Sequence, residues 1–197
     1  MATPPVVPEP TNAAVVSTGA AATGATGAMK RRRPMLLAAA AVLVVVLAGV
    51  GYQSLNSRPA APDVTFISIT GERIDLKGLR GKVVMINFWA TSCSTCIREM
   101  PQMIDTYNRY RDKGLDFIAV AMSYDPPNYV LNFAQTRALP FKVALDPQDQ
   151  AAKSFGDVKL TPTTFVIDRD GKIIKRYVGE PDFSALHAVL DKALAPA

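Results

Sequence analysis

Histidine, cysteine and tryptophan are almost missing from this chain: its 197 residues include one His, two Cys and one Trp. A zinc centre needs about four ligands, and the single His187 stands far along the chain from both cysteines. That scarcity argues against a resident zinc site, and no metal is expected. Charge is missing from two long stretches. Residues 1–28 are almost all Ala, Thr, Val, Pro and Gly, with one charge at Glu9. Such a composition buries too little surface to offset chain entropy, so residues 1–29 are expected to be disordered. Residues 35–52 carry no charge and are dominated by Ala, Val and Leu. A basic excess is also missing from the remainder. Without the four basic residues at 30–33 and Glu9, 18 Lys and Arg face 16 Asp and Glu, so the formal +5 falls to about +2. No basic patch remains to argue for nucleic acid as a partner.

What is present begins with Lys30-Arg31-Arg32-Arg33 directly before the uncharged stretch. Eighteen residues at 1.5 Å rise cover about 27 Å, close to the roughly 30 Å of a bilayer core. Residues 30–52 therefore predict a basic flank and a transmembrane anchor over 35–52. With only Arg58 in the ten residues after Tyr52, the N-terminus is expected in the cytoplasm and the rest outside it. A cleaved signal peptide is the rival. Against it, the apolar stretch exceeds the usual 7–15 residues and no small-x-small site follows, since Gly51, Tyr52, Gln53 and Ser54 stand there. The twin-arginine export pattern is matched poorly, because Pro34 and Met35 follow the arginines. A chain starting at Met29 would open Met-Lys-Arg-Arg-Arg and make residues 1–28 a start-site error.

Residues 53–62 read as a polar, Pro-rich linker, and regular patterning starts near Asp63. Val64, Phe66, Ile67 and Ile69, a turn at Thr70-Gly71-Glu72, then Ile74 and Leu76 predict an edge hairpin. The run 83–89 is the pattern of a strand buried on both faces. A helix is predicted over about 94–113, with Ile97, Met100, Ile104 and Tyr107 inward and Gly114 as its cap. Residues 117–122 predict a buried strand, 126–138 a helix, 141–145 a short strand and 148–155 a short helix. A hairpin over 163–167 and 173–178 turns at Asp170-Gly171, and 183–194 forms a final helix with Phe183, Leu186, Leu190 and Leu194 inward. The fold class is α/β over 63–197, with a central mixed sheet that is parallel in its first half and antiparallel in its second.

The two cysteines form Cys93-Ser94-Thr95-Cys96 between a buried strand and a helix. Free N–H groups and the positive end of the helix dipole favour a thiolate at Cys93. Cys96, one turn later, is placed to attack Cys93 once a mixed disulfide has formed. A purely structural disulfide closing so short a loop would remove little chain entropy. A redox-active pair is the stronger reading, and C-x-x-C at a strand-helix junction is a strong signal for it.

Residues 87–96, Asn-Phe-Trp-Ala-Thr-Ser-Cys-Ser-Thr-Cys, then Glu99 and Pro101, Thr161-Pro162-Thr163-Thr164-Phe165 and Asp168-Arg169-Asp170-Gly171 carry a resemblance. Over 63–197 the chain resembles the membrane-anchored, extracytoplasmic thioredoxin-like reductases of the TlpA and ResA kind, with the family's inserted helix-strand segment at 126–156. The resemblance implies a thioredoxin-like fold, Cys93 as attacking and Cys96 as resolving cysteine, and Pro162 at the cis-proline position. It also implies that the backbone of Thr161 pairs with substrate and that Glu99 is the buried proton carrier, Asn87 standing where thioredoxin has an acid. From the residues alone, Pro162 reads equally as an ordinary strand-start proline. The alternative for Glu99 is an exposed acid favoured by the helix dipole. Trp89 is a candidate for the substrate surface, with a core role as its alternative.

The implied activity is disulfide reduction in exported proteins, haem-binding cysteines of c-type cytochrome precursors included, with electrons from a membrane partner and no cofactor. The implied place is the periplasmic side of the inner membrane. Ser92, and Ser94-Thr95 between the thiols, depart from the family's usual residues, which leaves direction and partner open. A peroxidase is disfavoured because Ile86 and Ala90 stand where peroxiredoxins have Pro and Thr. A Cu(I) chaperone using both thiols and a disulfide donor remain as alternatives.

Overall fold

The computed structural model describes residues 32–56 and 58–196, with the side chains of 32–36, 40, 50 and 52–56 outside the description. The disorder expected over 1–29 falls outside the described residues. Helix α1 (Arg32–Asn56) forms where the anchor was expected and forms a unit by itself. Its described apolar side chains are exposed, Val42 to Leu47 at 53–70% and Leu37 at 72%. The longest uninterrupted stretch of described side chains in it is 41–49. Among the described residues no helix is long and apolar enough to cross a membrane.

The second unit carries the remaining elements. They are β1 (Thr65–Ser68), β2 (Arg73–Asp75), β3 (Val83–Trp89), α2 (Ser94–Tyr110), β4 (Leu115–Ala121), α3 (Pro127–Thr136), β5 (Lys142–Leu145), α4 (Gln150–Ser154), β6 (Thr163–Ile167), β7 (Ile173–Val178) and α5 (Phe183–Leu194). Seven strands form one sheet in the order β2-β1-β5-β4-β3-β6-β7. β3, β4 and β5 run parallel, and β6 and β7 are antiparallel to their neighbours, as the patterning predicted. The N-terminal hairpin extends this sheet because β1 pairs with β5, the strand of the inserted segment.

Side-chain alternation along the central strand sets the two faces. Val83, Met85 and Trp89 join one apolar cluster with Met100, Met103, Leu186 and Leu190. Val84, Ile86 and Phe88 join the other with Phe66, Ala151, Phe155 and Phe165. Asn87 lies in the alternation between Met85 and Trp89, so its amide points toward α2.

Two expectations shift. The innermost stripe of α2 is Cys96, Glu99, Met100, Met103, Thr106 and Tyr110, turned from the predicted one; Ile97, Ile104 and Tyr107 are only partly buried. The helix presents Met100, Met103 and Tyr110 to the core with Thr106 buried among them, and leaves Ile97, Ile104 and Tyr107 at the rim. The linker expected over 53–62 is also partly folded. The Ile173 N–H donates to the Pro59 carbonyl at 2.8 Å, the Ala61 N–H to that of Gly171 at 2.9 Å, and Ala61 is 8% exposed. The second unit therefore makes contacts before Asp63, from Arg58, which pairs with Asp168 at 3.5 Å, through Pro59 and Ala61, whose backbone groups serve those beside the β6–β7 turn.

Candidate active site

The site grows from the end of β3. After Trp89 the chain leaves the sheet through Ala90-Thr91-Ser92 and enters α2 with Cys93 as the capping residue. Cys93 and Cys96 are joined in a disulfide with Cα atoms 5.2 Å apart. The Cys93 sulfur accepts the Cys96 N–H at 3.1 Å, which satisfies one of the free donors of the first helical turn. Cys93 is half-buried, whereas Cys96 is fully buried. One sulfur is open to a partner and the other faces the core.

Beneath Cys96, one turn further along α2, the Glu99 side chain is 1% exposed. The exposed-acid alternative is thereby overturned. The Asn87 amide donates to Glu99 Oε1 at 3.2 Å and to Thr164 Oγ1 at 2.9 Å. The arrangement follows from register, since Asn87 and Thr164 are opposite each other in the β3–β6 pair. Glu99 Oε2 has no partner. Burial pushes the Glu99 carboxyl up to about 8, with Glu180 adding to the rise, while the Asn87 amide and Arg98 oppose it. A carboxyl in this position is neutral at pH 7 and holds a proton close to the buried thiol.

The other wall comes from β6. The Thr161–Pro162 peptide is cis. Phe88 pairs with Thr163, so Pro162 continues the register to the end of β3, where the chain turns toward the cysteines. The Pro162 carbonyl accepts the Gly179 N–H at 2.8 Å. Thr161 is half-buried beside Leu160, which is 65% exposed.

Trp89 is corrected. It is fully buried and packs on Phe133 with ring centroids 5.2 Å apart, its Nε1 without a partner. It offers no surface to a substrate, because the last residue of β3 points into the apolar cluster under α3. His187 is a boundary residue of the last helix, half-buried and 2.9 Å from Thr106 Oγ1. Burial and Arg109 hold its imidazole below the usual range.

Two site residues were not read from the sequence. Asp125, 4% exposed, accepts the Thr91 N–H at 2.6 Å and the Thr91 hydroxyl at 2.5 Å. Tyr124, 57% exposed, has its hydroxyl 3.3 Å from Thr161 Oγ1. A signal existed for both. Ligand-binding loops of open α/β sheets gather at the carboxyl ends of parallel strands, and the loop after β4 lies beside the loop after β3.

A half-exposed cysteine capping a helix, a buried partner one turn on, and a cis-proline across the sheet register define a thioredoxin-like thiol-disulfide oxidoreductase. The Redoxin family model matches residues 56–190, and the chain belongs to that family. It is 38% identical over 132 residues to the thiol-disulfide oxidoreductase ResA of Bacillus thuringiensis, covering 67% of this chain and 75% of that protein. It is 34% identical over 137 residues to ResA of Bacillus subtilis, covering 70% and 75%. Among solved structures, a Chlorobium tepidum protein assigned as thiol:disulfide interchange protein DsbE superposes with a TM-score of 0.65 at 32% identity, covering 71% of this chain and 99% of that one. StoA of Bacillus subtilis superposes with a TM-score of 0.57 at 25% identity, covering 66% and 98%. The protein is an enzyme of thiol-disulfide exchange.

Proposed function

We propose that the protein is an extracytoplasmic reductase, held at the membrane by α1, that reduces disulfides of exported proteins, the haem-binding cysteines of c-type cytochrome precursors among them. The observation that carries this reading is the asymmetry of the pair: an open Cys93 at the helix cap, and a closed Cys96 above a protonated Glu99. In the reduced enzyme the Cys93 thiolate attacks a substrate disulfide, forms a mixed disulfide and releases one substrate thiolate. The ionised fraction of Glu99, the minority form at pH 7, takes the proton of Cys96, which then attacks the Cys93 sulfur and expels the second substrate thiolate. The enzyme is left oxidised, with the proton on Glu99. A carboxyl raised to about 8 is a far better acceptor for a thiol proton than an ordinary carboxylate would be. A membrane electron donor restores the dithiol.

The membrane reading rests on α1. Its apolar side chains point outward on every described position, an arrangement suited to lipid rather than water. The basic residues at 30–33 stand on its N-terminal side, which favours a cytoplasmic N-terminus.

Adduct trapping tests the chemistry. Cys96→Ser is expected to accumulate mixed disulfides with exported proteins and Cys93→Ser few or none; the reverse pattern exchanges the two roles. Failure of both variants to trap, together with a tight Cu(I) complex, would move the protein to copper handling. A reporter fused after Ala197 is expected to be active only outside the cytoplasm. A reduction potential near or below roughly −270 mV supports reduction, and one near roughly −120 mV would make the protein a disulfide donor.

A further inference from the structure

The loop between β4 and α3 takes no part in the exchange steps above, yet it holds both walls of the site. Tyr124 reaches Thr161 on the cis-proline side, and Asp125 reaches Thr91 on the cysteine side. We infer that Asp125 is a positioning residue for the exchange reaction, its buried carboxylate clamping the nucleophile loop through both the N–H and the hydroxyl of Thr91. The inference rests on Cys93 being the attacking thiol.

The three residues between β3 and Cys93 have neither a sheet ladder nor a helix to hold them. The Trp89 carbonyl accepts the Met122 N–H at 3.0 Å, and the Cys93 N–H turns back to the Ala90 carbonyl at 3.1 Å. Between those points the Thr91 N–H goes to Asp125. A charged acceptor makes short, strong hydrogen bonds, and both bonds to Thr91 are short.

Asp125 is itself firmly held. Its N–H donates to the Met122 carbonyl at 3.0 Å, and Pro126 and Pro127 follow it, Pro126 capping α3 and Pro127 opening the helix. The loop thus presents a fixed acceptor two residues before the attacking sulfur.

Resolution requires the Cys96 sulfur to attack the Cys93 sulfur while the Cys93–substrate bond breaks and the substrate thiolate departs. The rate of that step, and the stability of the resulting disulfide, both scale with the effective concentration of one sulfur at the other. Freeing the Thr91 loop lets Cys93 wander and lowers that concentration. The first step, attack by Cys93 on a substrate in solution, needs no such alignment with Cys96.

The test uses the full chain in detergent. Asp125→Ala is expected to weaken the Cys93–Cys96 disulfide about tenfold against glutathione, a rise of about 30 mV for a two-electron couple. Resolution of a preformed mixed disulfide should slow by a similar factor, while adduct formation in a Cys96→Ser background stays within about twofold of the parent. Asp125→Asn keeps an acceptor oxygen and is expected to restore most of both quantities. Thr91→Val, which deletes only the hydroxyl, should give a smaller change of the same sign and serves as the measurement if Asp125→Ala does not fold. An unchanged potential in Asp125→Ala or, if that variant is unfolded, in Thr91→Val overturns the proposal. So does Asp125→Asn behaving like Asp125→Ala, which would make charge rather than position responsible. Absence of adducts in the Cys96→Ser background with Asp125 intact instead refutes the role of Cys93 and leaves a different signature.

Discussion

Two buried carboxylates on opposite faces of the sheet have opposite surroundings. Asp146, 6% exposed, lies just past β5, and its two oxygens accept the N–H groups of Ala151 and Ala152 at 3.1 and 2.8 Å. Glu99, 1% exposed, has one oxygen on the Asn87 amide and the other on nothing. The Asp146 carboxylate is spent on the backbone of α4 and shapes a corner. Glu99 is buried without enough donors to hold a negative charge, so it keeps a proton and is free to exchange it. Burial alone does not distinguish a structural acid from a chemical one; the supply of donors does.

Removing the ionisable group at Glu99 tests the larger side of this contrast. Its carboxyl is raised from 4.5 to about 8 in the folded chain. Between those values the folded state holds a proton that the unfolded state has released, so stability declines as pH rises. The contribution is complete below about pH 4.5 and is lost as pH passes about 8. Glu99→Gln keeps the neutral shape and is expected to flatten the slope, leaving the oxidised variant more stable than the parent by on the order of 4 kcal/mol at pH 9. Chemical denaturation of the unit from Arg58 onward between pH 4 and 9 measures this, and a slope that persists in the variant would assign it to another group. The same substitution should slow substrate release at least about tenfold, since no base then takes the Cys96 proton.

On the other face, Asp146→Ala leaves two amides of α4 without acceptors and should cost about 2 kcal/mol. The Cys93–Cys96 potential should stay unchanged, and a shifted potential would mean that the α4 corner communicates with the thiols. Asn87→Ala is the smallest of the three. It deletes the one donor that favours ionised Glu99, so the midpoint of the stability decline should move to higher pH, with a loss of about 1 kcal/mol from the bond to Thr164. A midpoint that moves downward would show that Asn87 is not what steadies the charged form.

Legibility differed between the scaffold and the floor of the site. The strands Val83–Trp89, Thr163–Ile167 and Ile173–Val178 match their predicted bounds residue for residue, because runs rich in β-branched and aromatic residues, bounded by proline, glycine or charged turns, leave little choice. Helix α2 ends at Tyr110, three residues short of the expected end, and a 3-10 turn over Arg111–Lys113 carries the chain to Gly114, whose φ of 100° suits a residue without Cβ. The inward stripe of that helix was not legible. Apolar residues stand at both 96–100–103 and 97–104–107, and periodicity could not choose which set meets the sheet.

What the sequence determined by itself is the local chemistry: two thiols at a strand-helix junction, a proline before the sixth strand, and a carboxylate three residues after Cys96. Spacing of three along a helix fixes that Cys96 and Glu99 share a face. Only the tertiary structure decided that this face is buried, since that depends on how α2 rotates against β3 and β4. It also decided that Asn87 and Thr164 meet beneath it, because register brings together residues 77 apart in the chain. The Asp125–Thr91 clamp and the docking of Pro59 and Ala61 arise in the same way, from unpaired backbone groups finding acceptors that lie nearby only once the sheet has formed.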